Sequence, residues 1–294
     1  MKNILIVGAS GLIGSKLILA FGKKYNTTLL GHRNTQNRNI ISLDLTKNEY
    51  VDNFSKDCPF FDSVIFLVGL AHKKGKKKDL NLFKKINYTT LVNLLTSLEK
   101  YNKTPGKIIF ASTISVYGEK VDREIYLENS KKSPISPYAI TKLMAESFLI
   151  EKYHKKAWIL RFSPVYSKNF RLNIDRRTKI KNMFYCIGDG SSQLSLCNIN
   201  NITNATLAII NDEVPFGSYN ISDPISYTYR TILNTLGAKI PLKIPVFFVK
   251  ILYFLGKSIN NIFLIENSIK LFTNNVYSSE KIQNFVKLKH QLVD

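Results

Sequence analysis

Three glycines, Gly8, Gly11 and Gly14, follow directly on the apolar run Asn3 to Val7 and lead into a helical apolar pattern that reaches Phe21. A short apolar run closed by glycine reads as a strand buried on both faces of a parallel sheet. A strand-to-helix turn that admits only small residues brings backbone N–H groups to a helix N-terminus, where they and the helix dipole favour an anion. The anion this spacing suits is the pyrophosphate of a dinucleotide, laid over Gly8, Ser10, Gly11, Leu12, Ile13 and Gly14. The third glycine then lets helix and strand pack closely.

Further runs alternate between the two periods. Strands are expected at Thr27 to Leu30, Ile40 to Leu43, Ser63 to Val68, Lys107 to Ala111 and Trp158 to Phe162, and helices at Leu80 to Tyr101 and Pro137 to His154. Such alternation specifies an α/β fold, a Rossmann doubly wound parallel sheet over residues 1–166. After Pro164 the regularity weakens. The helical pattern from Asn200 to Asn211 suggests that the chain rejoins the sheet over about residues 198–212, which leaves 167–197 and 213–294 as a smaller, discontinuous C-terminal substrate lobe. Ile244 to Leu255, continued by Ile259 to Ile265, is interrupted by Lys250 and Lys257 and is too short to span a bilayer. It is expected to form an amphipathic core helix rather than a membrane-surface one.

The net charge is +21, from 42 Lys and Arg against 21 Asp and Glu. The basic residues are spread along the chain, and the dense run over residues 72–78 reads as a solvated loop. No nucleic-acid motif accompanies the charge, so no nucleic-acid partner is expected, and attraction of an anionic substrate or membrane is the better alternative use. Cys58, Cys186 and Cys197 lack pairing spacing, and the first ten residues lack the pattern of a secretory signal, which suits the reducing cytoplasm. His32, His72, His154 and His290 do not cluster with other metal-ligating residues, so no metal is expected.

After the second strand the chain reads Gly31-His32-Arg33-Asn34, with no carboxylate for a ribose 2′-hydroxyl. Arg33 favours a 2′-phosphate, hence NADP, with NAD the other candidate. Asp44, followed by Leu45, ends the third strand, where an aspartate can accept from the adenine amino group. Tyr138 and Lys142 lie four apart on an expected helix and share one face. An ammonium there is expected to lower the phenol's pKa and fit it for general acid–base work, and to hold the nicotinamide ribose.

With these residues in order the chain resembles the extended short-chain dehydrogenase/reductase family, in its nucleotide-sugar epimerase/dehydratase branch. The resemblance rests on the glycine turn, Asp44-Leu45, Leu67-Val68-Gly69-Leu70-Ala71, Asn87 in Ile-Asn-Tyr-Thr-Thr-Leu, Ala111-Ser112-Thr113-Ile114-Ser115-Val116-Tyr117-Gly118, Tyr138 to Lys142, and Leu160-Arg161-Phe162-Ser163-Pro164-Val165-Tyr166. It implies that Thr113 orients the substrate oxygen for Tyr138, with Ser112 and Ser115 lining the same pocket. It also implies that Val68 and Gly69 pass beneath the cofactor, Asn87 lies beside it, and Pro164 and Val165 face the nicotinamide.

The implied activity is NAD(P)-dependent epimerisation or 4-keto reduction at C4 of a nucleotide-linked sugar, with UDP the expected nucleotide and surface polysaccharide synthesis the expected setting. The alternative is a non-catalytic NADP-binding sensor of the same fold. A homodimer stays open. The Asp-Glu pair that follows the catalytic Thr in the related 4,6-dehydratases is Ile114-Ser115 here, so no dehydration is expected. Gln193-Leu194-Ser195-Leu196 stands where the family often reads Arg-Arg-Ser-Leu, and an arginine that usually grips the substrate diphosphate is missing. Arg171, Arg176 and Arg177 are the candidates to replace it.

Overall fold

The apolar runs become the strands of one sheet. In the computed structural model, which describes residues 1–32, 39–70, 77–118 and 125–292, these are β1 (Asn3–Val7), β2 (Asn26–Gly31), β3 (Ile40–Ser42), β4 (Ser63–Phe66), β5 (Lys107–Thr113), β6 (Ala157–Phe162) and β7 (Gly217–Ile221). Their order is β7-β6-β5-β4-β1-β2-β3. β1 runs parallel to both β2 and β4, with Val7 opposite Leu30 on one side and Phe66 on the other. β2 with β3 and β4 with β5 continue in parallel. The order therefore reverses at β1, and the crevice beyond the carboxyl ends of β1 and β4 is where such a sheet binds its ligand. This is the expected Rossmann-like doubly wound sheet. β7 was not expected: Gly-Ser-Tyr-Asn-Ile carries too few β-branched residues to stand out from a loop.

The chain divides into two compact units. One comprises Met1–Thr113, Ser136–Arg161 and Thr206–Ser218. Its helices include α1 (Leu12–Phe21), α2 (Asn48–Asp57), α3 (Leu80–Lys84), α4 (Thr90–Lys100) and α5 (Pro137–Tyr153). Its core joins Leu5, Val7, Val64, Phe66, Ile108 and Phe110 of the strands to Leu91, Leu94, Leu98 and Leu149 of the helices. α2 has no counterpart in the sequence reading; it is polar and buries only Val51 and Ser55, one helical turn apart.

The single helix expected from Leu80 to Tyr101 is corrected. Lys85–Thr89 forms a π-helical turn between α3 and α4. The extra residue in a π turn shifts which side chains face inward, and here the polar Asn87 becomes the buried one. α5 opens with Pro137 in its first turn, where its fixed φ suits the helix and its missing N–H costs nothing.

The other unit comprises Ile114–Ile135, Phe162–Ala205 and Tyr219–Asp294. It holds α6 (Leu172–Thr178), most of α7 (Ile199–Ile210), α8 (Tyr229–Thr235), α9 (Val246–Ser258) and α10 (Ile262–Phe272). Its strands are short: Met183–Ile187 pairs antiparallel with Lys179–Ile180 and parallel with Leu242–Ile244. Tyr166, Ile174, Leu194, Leu196, Tyr227, Tyr229 and Ile232 form its core. Within it Asp223 is a buried polar hub. It accepts from Tyr166 Oη at 2.7 Å, Tyr227 Oη at 2.8 Å, the Asn198 N–H at 2.7 Å and Asn201 Nδ2 at 2.9 Å.

The core-helix expectation for Ile244 to Ile265 is also corrected. α9 buries only Val249, Tyr253 and Gly256 and leaves most of its large apolar side chains exposed. One stripe at i, i+4 and i+7 satisfies the contact with α10, and no further layer among the described residues covers the rest. No helix among the described residues is long and apolar enough to cross a membrane.

Candidate active site

The turn after β1 is held by the sheet. The Gly8 and Ala9 N–H groups both donate to the Leu30 carbonyl at 2.9 Å, and the Gly11 N–H donates to the Gly8 carbonyl at 3.0 Å. Gly8 has φ +90°, a conformation that strains any residue with a Cβ. A Cβ on Gly14 would lie 2.6 Å from the Gly8 oxygen, so only glycine lets α1 start this close to β1. No side chain caps α1 and no acidic residue stands in its first turn. Ser10, Gly11 and Leu12 are exposed, with Ile13 half-buried behind them. An uncapped N-terminus in a glycine cradle fits a pyrophosphate, and the residues present therefore suit a dinucleotide.

The residues expected around the adenosine divide. Arg33 lies outside the described residues, as does most of the basic run from His72. Asp44 Oδ1 accepts from the Thr46 N–H at 2.9 Å and from Thr46 Oγ1 at 2.7 Å, and these bonds hold its carboxyl below the ordinary value. Asp44 thus orders its own turn. Leu45 is buried and its carbonyl accepts from Asn93 Nδ2 at 3.0 Å.

Tyr138 and Lys142 lie on α5, at the carboxyl end of β5 where Thr113 is the last residue. The Thr113 hydroxyl hydrogen-bonds the Tyr138 phenol in the sense that favours phenolate. Tyr138 keeps part of its surface exposed, but burial of its phenol is the larger effect and pushes it up to about 12. The expectation that Lys142 lowers this phenol is corrected. Lys142 Nζ donates instead to the Ala111 carbonyl at 2.8 Å and the Val68 carbonyl at 3.1 Å, and lies 4.6 Å from the Phe110 ring centroid. Burial brings its amine down to about 7, against an opposing pull from Glu146.

Asn87, fully buried in the π turn, connects these parts. Its Oδ1 accepts the Leu70 N–H at 2.8 Å and its Nδ2 donates to Thr141 Oγ1 at 3.0 Å. Gly69 lies between: a Cβ there would meet Lys142 Nζ at 3.1 Å and Asn87 Oδ1 at 3.4 Å. Val68 and Gly69 are half-buried at the end of β4, as a floor beneath a cofactor requires.

Ser112 is buried, and its hydroxyl is turned to α5. Its hydroxyl donates to Glu146 Oε1 at 2.5 Å, and Glu146 in turn takes Arg161 Nε at 3.0 Å and a terminal guanidinium nitrogen at 2.7 Å. Both members of this pair are buried, at 0% and 1% exposure. In the sequence Glu146 and Arg161 stand out only as parts of motifs. Their signal was a charge on the buried face of α5, one turn beyond Lys142, and a charge inside an otherwise apolar strand.

In the other unit, Ser115 is half-buried in the 3₁₀ turn Ile114–Tyr117. Pro164 lines a recess with Ile114, Arg177, Tyr229, Lys270 and Tyr277. Val165 pairs with Cys197, and its carbonyl accepts from Asn173 Nδ2 at 2.9 Å. Of the three arginines considered for a diphosphate, Arg177 is the one at the recess. Lys270, from α10, was not anticipated because it comes from more than a hundred residues beyond Pro164.

The chain is similar to known proteins in sequence and in fold. Over 253 residues the chain is 24% identical to the N-acetyl-alpha-D-glucosaminyl-diphospho-ditrans,octacis-undecaprenol 4-epimerase of Escherichia coli O157:H7, covering 83% of this chain and 74% of that one. Its fold is that of UDP-glucuronic acid 4-epimerase from Bacillus cereus, solved with NAD (TM-score 0.74, 21% identity, 99% and 93% of the two chains). It is also that of RMD from Pseudomonas aeruginosa, solved with NADPH (TM-score 0.71, 16% identity, 99% and 96%). Residues 4–222 match the model of the NAD dependent epimerase/dehydratase family. The chain belongs to that family, whose members are NAD(P)-dependent enzymes of the extended short-chain dehydrogenase/reductase type.

Proposed function

We propose that the protein epimerises C4 of a sugar joined through a diphosphate to its carrier, with a uridine nucleotide as carrier, in the synthesis of a surface polysaccharide. The observation that carries this reading is the Thr113–Tyr138 hydrogen bond beside Lys142, at the carboxyl ends of β4 and β5 next to the glycine cradle. A bound nicotinamide dinucleotide supplies reversible hydride acceptance there. The chain's own part is the proton. Tyr138 oxygen takes the proton of the C4 hydroxyl as that carbon is oxidised and returns it when the carbon is reduced on its other face. Thr113, by donating to the phenol oxygen, favours the phenolate that acts as base. Burial holds the phenol near 12, so at neutral pH it is the acid that donates to a C4 ketone oxygen, and the opposite step needs the phenolate that Thr113 favours. Lys142 holds the ribose at the floor of the site. Gly8 to Gly14 hold the pyrophosphate.

A second reading, 4-keto reduction, uses the same residues for half of that cycle. Arg33 favours it, because a 2′-phosphate reader suits NADPH and a reductant must be exchanged at each turnover. The test is incubation with UDP-N-acetylglucosamine and with a 4-keto-6-deoxy nucleotide sugar, with and without NADPH. Conversion at C4 without added cofactor supports the epimerase. Stoichiometric NADPH consumption by the keto sugar eliminates epimerisation as the main role. A 4-keto-6-deoxy product from the first substrate contradicts the reading of Ile114 and Ser115.

A further inference from the structure

α9 is apolar on both of its faces. The packed face carries Val249, Tyr253 and Gly256. At Gly256 α10 comes so close that a Cβ would sit 2.8 Å from the Leu264 Cβ and 3.0 Å from the Ile265 nitrogen. The opposite face carries Phe247, Phe248, Ile251, Leu252, Phe254 and Leu255, all exposed, with Phe247 at 68% and Phe254 at 60%. At 100° per residue these six cover an arc of roughly 160°. Ile240, 94% exposed, and Leu242 extend the apolar surface before α9, and Ile259 and Phe263 extend it beyond. An exposed apolar face of this extent marks a surface that meets a membrane or another protein.

The segment that carries this face is strongly basic, although Arg230 is paired with the exposed Asp189 at 3.9 Å. Between Pro224 and Ser279 the chain has Arg230, Lys239, Lys243, Lys250, Lys257 and Lys270 against a single acidic residue, Glu266. Glu266 is buried. Lys250 and Lys257 lie together on one flank of the apolar arc, the position from which long side chains reach an anionic surface while their stems cover apolar area. A second copy of the chain would bring the same surplus of lysines to a shared interface, which is less favourable than meeting an anionic surface.

We propose that the α9–α10 hairpin is an interfacial anchor that lays the exposed face of α9 into the headgroup region of an anionic bilayer. At thirteen residues α9 lies in the interface and does not cross it. α10, packed against it, also carries Lys270 to the recess lined by Arg177, so the same helix pair meets the membrane and the recess of this unit.

The test is co-sedimentation of the full chain with vesicles of phosphatidylglycerol and phosphatidylcholine, and with phosphatidylcholine alone, at low and high salt. Binding to the anionic vesicles, weakened by salt, is expected. Phe247→Asp with Phe254→Asp is expected to lower it more than tenfold, and Lys250→Gln with Lys257→Gln by roughly fivefold per lysine. All four positions are exposed, and an unchanged melting temperature shows that each variant is folded. The lysine pair tests the idea by itself if the Phe pair fails to fold. No pelleting with anionic vesicles overturns the proposal, as does pelleting that neither pair of substitutions affects. A soluble dimer that the Phe pair dissociates also overturns it and assigns the face to a second copy. None of these readings depends on enzymatic turnover, so failure here leaves the proposed reaction standing.

Discussion

Asn87 Nδ2 donates to Thr141 Oγ1 at 3.0 Å, which ties the π turn to α5 one residue before Lys142. The other end of the same amide holds the Leu70 N–H beside Gly69. Asn87→Ala leaves both partners unmatched in a buried place, a cost of about 1–3 kcal/mol for each group that stays unsatisfied. The expected outcome is a lower melting temperature together with weaker dinucleotide binding by fluorescence titration, because the floor at Val68 and Gly69 loses its register with Lys142. Undiminished cofactor affinity in a destabilised variant would reduce Asn87 to a purely structural role.

The Glu146–Arg161 pair makes a sharper stability prediction. Removing one partner from a buried ion pair leaves an uncompensated charge and typically costs ~3–5 kcal/mol, whereas replacing both by apolar residues can be nearly neutral. Arg161→Met alone should therefore be strongly destabilising in denaturant melts, and Arg161→Met with Glu146→Leu should recover much of the loss. Additive losses in the double variant would contradict the coupling.

Asp223 sets a pH dependence. Burial raises its carboxyl from 3.8 to about 6, against the hydrogen bonds from Asn198, Tyr166, Tyr227 and Asn201. Between those values the folded protein keeps a proton that the unfolded chain has released. The contribution is complete below about pH 4 and is lost as pH rises through 6, roughly 3 kcal/mol in all. Asp223→Asn lacks this titration, so the stability of the unmodified protein relative to that variant should fall between pH 4 and 7. A difference that stays constant with pH would place the carboxyl near its ordinary value.

The proposed role of Arg33 as reader of a 2′-phosphate makes a prediction about cofactor choice. A charge-assisted hydrogen bond to a 2′-phosphate is worth ~1.5–3 kcal/mol, so NADPH should bind about ten- to a hundredfold more tightly than NADH, and Arg33→Ala should erase most of that preference. Equal affinities in the unmodified protein would reject the assignment.

Local pattern carried the sheet. β1, β4, β5 and β6 are runs of apolar residues buried on both faces, and the glycines after β1 leave one kind of turn open. The Tyr138–Lys142 spacing was legible for the same reason, since a helix alone puts those residues on one face. What the pattern hid came from tertiary context. Nothing in Lys-Ile-Asn-Tyr-Thr announces a π turn, and the direction of Lys142 toward Val68 and Ala111 depends on strands far from it in sequence. α9 misled because its periodicity describes a helix well without saying whether protein covers its second face.

The central claim is that Tyr138 moves the proton at the reacting carbon. Tyr138→Phe keeps the ring and removes the hydroxyl that Thr113 meets. The direct measurement is the turnover of this variant, with the sugar that the unmodified protein converts, beside a titration of its dinucleotide affinity. A fall of ~10²–10⁴-fold in turnover with unchanged cofactor affinity is the expected result, and turnover equal to that of the unmodified protein would contradict the assignment.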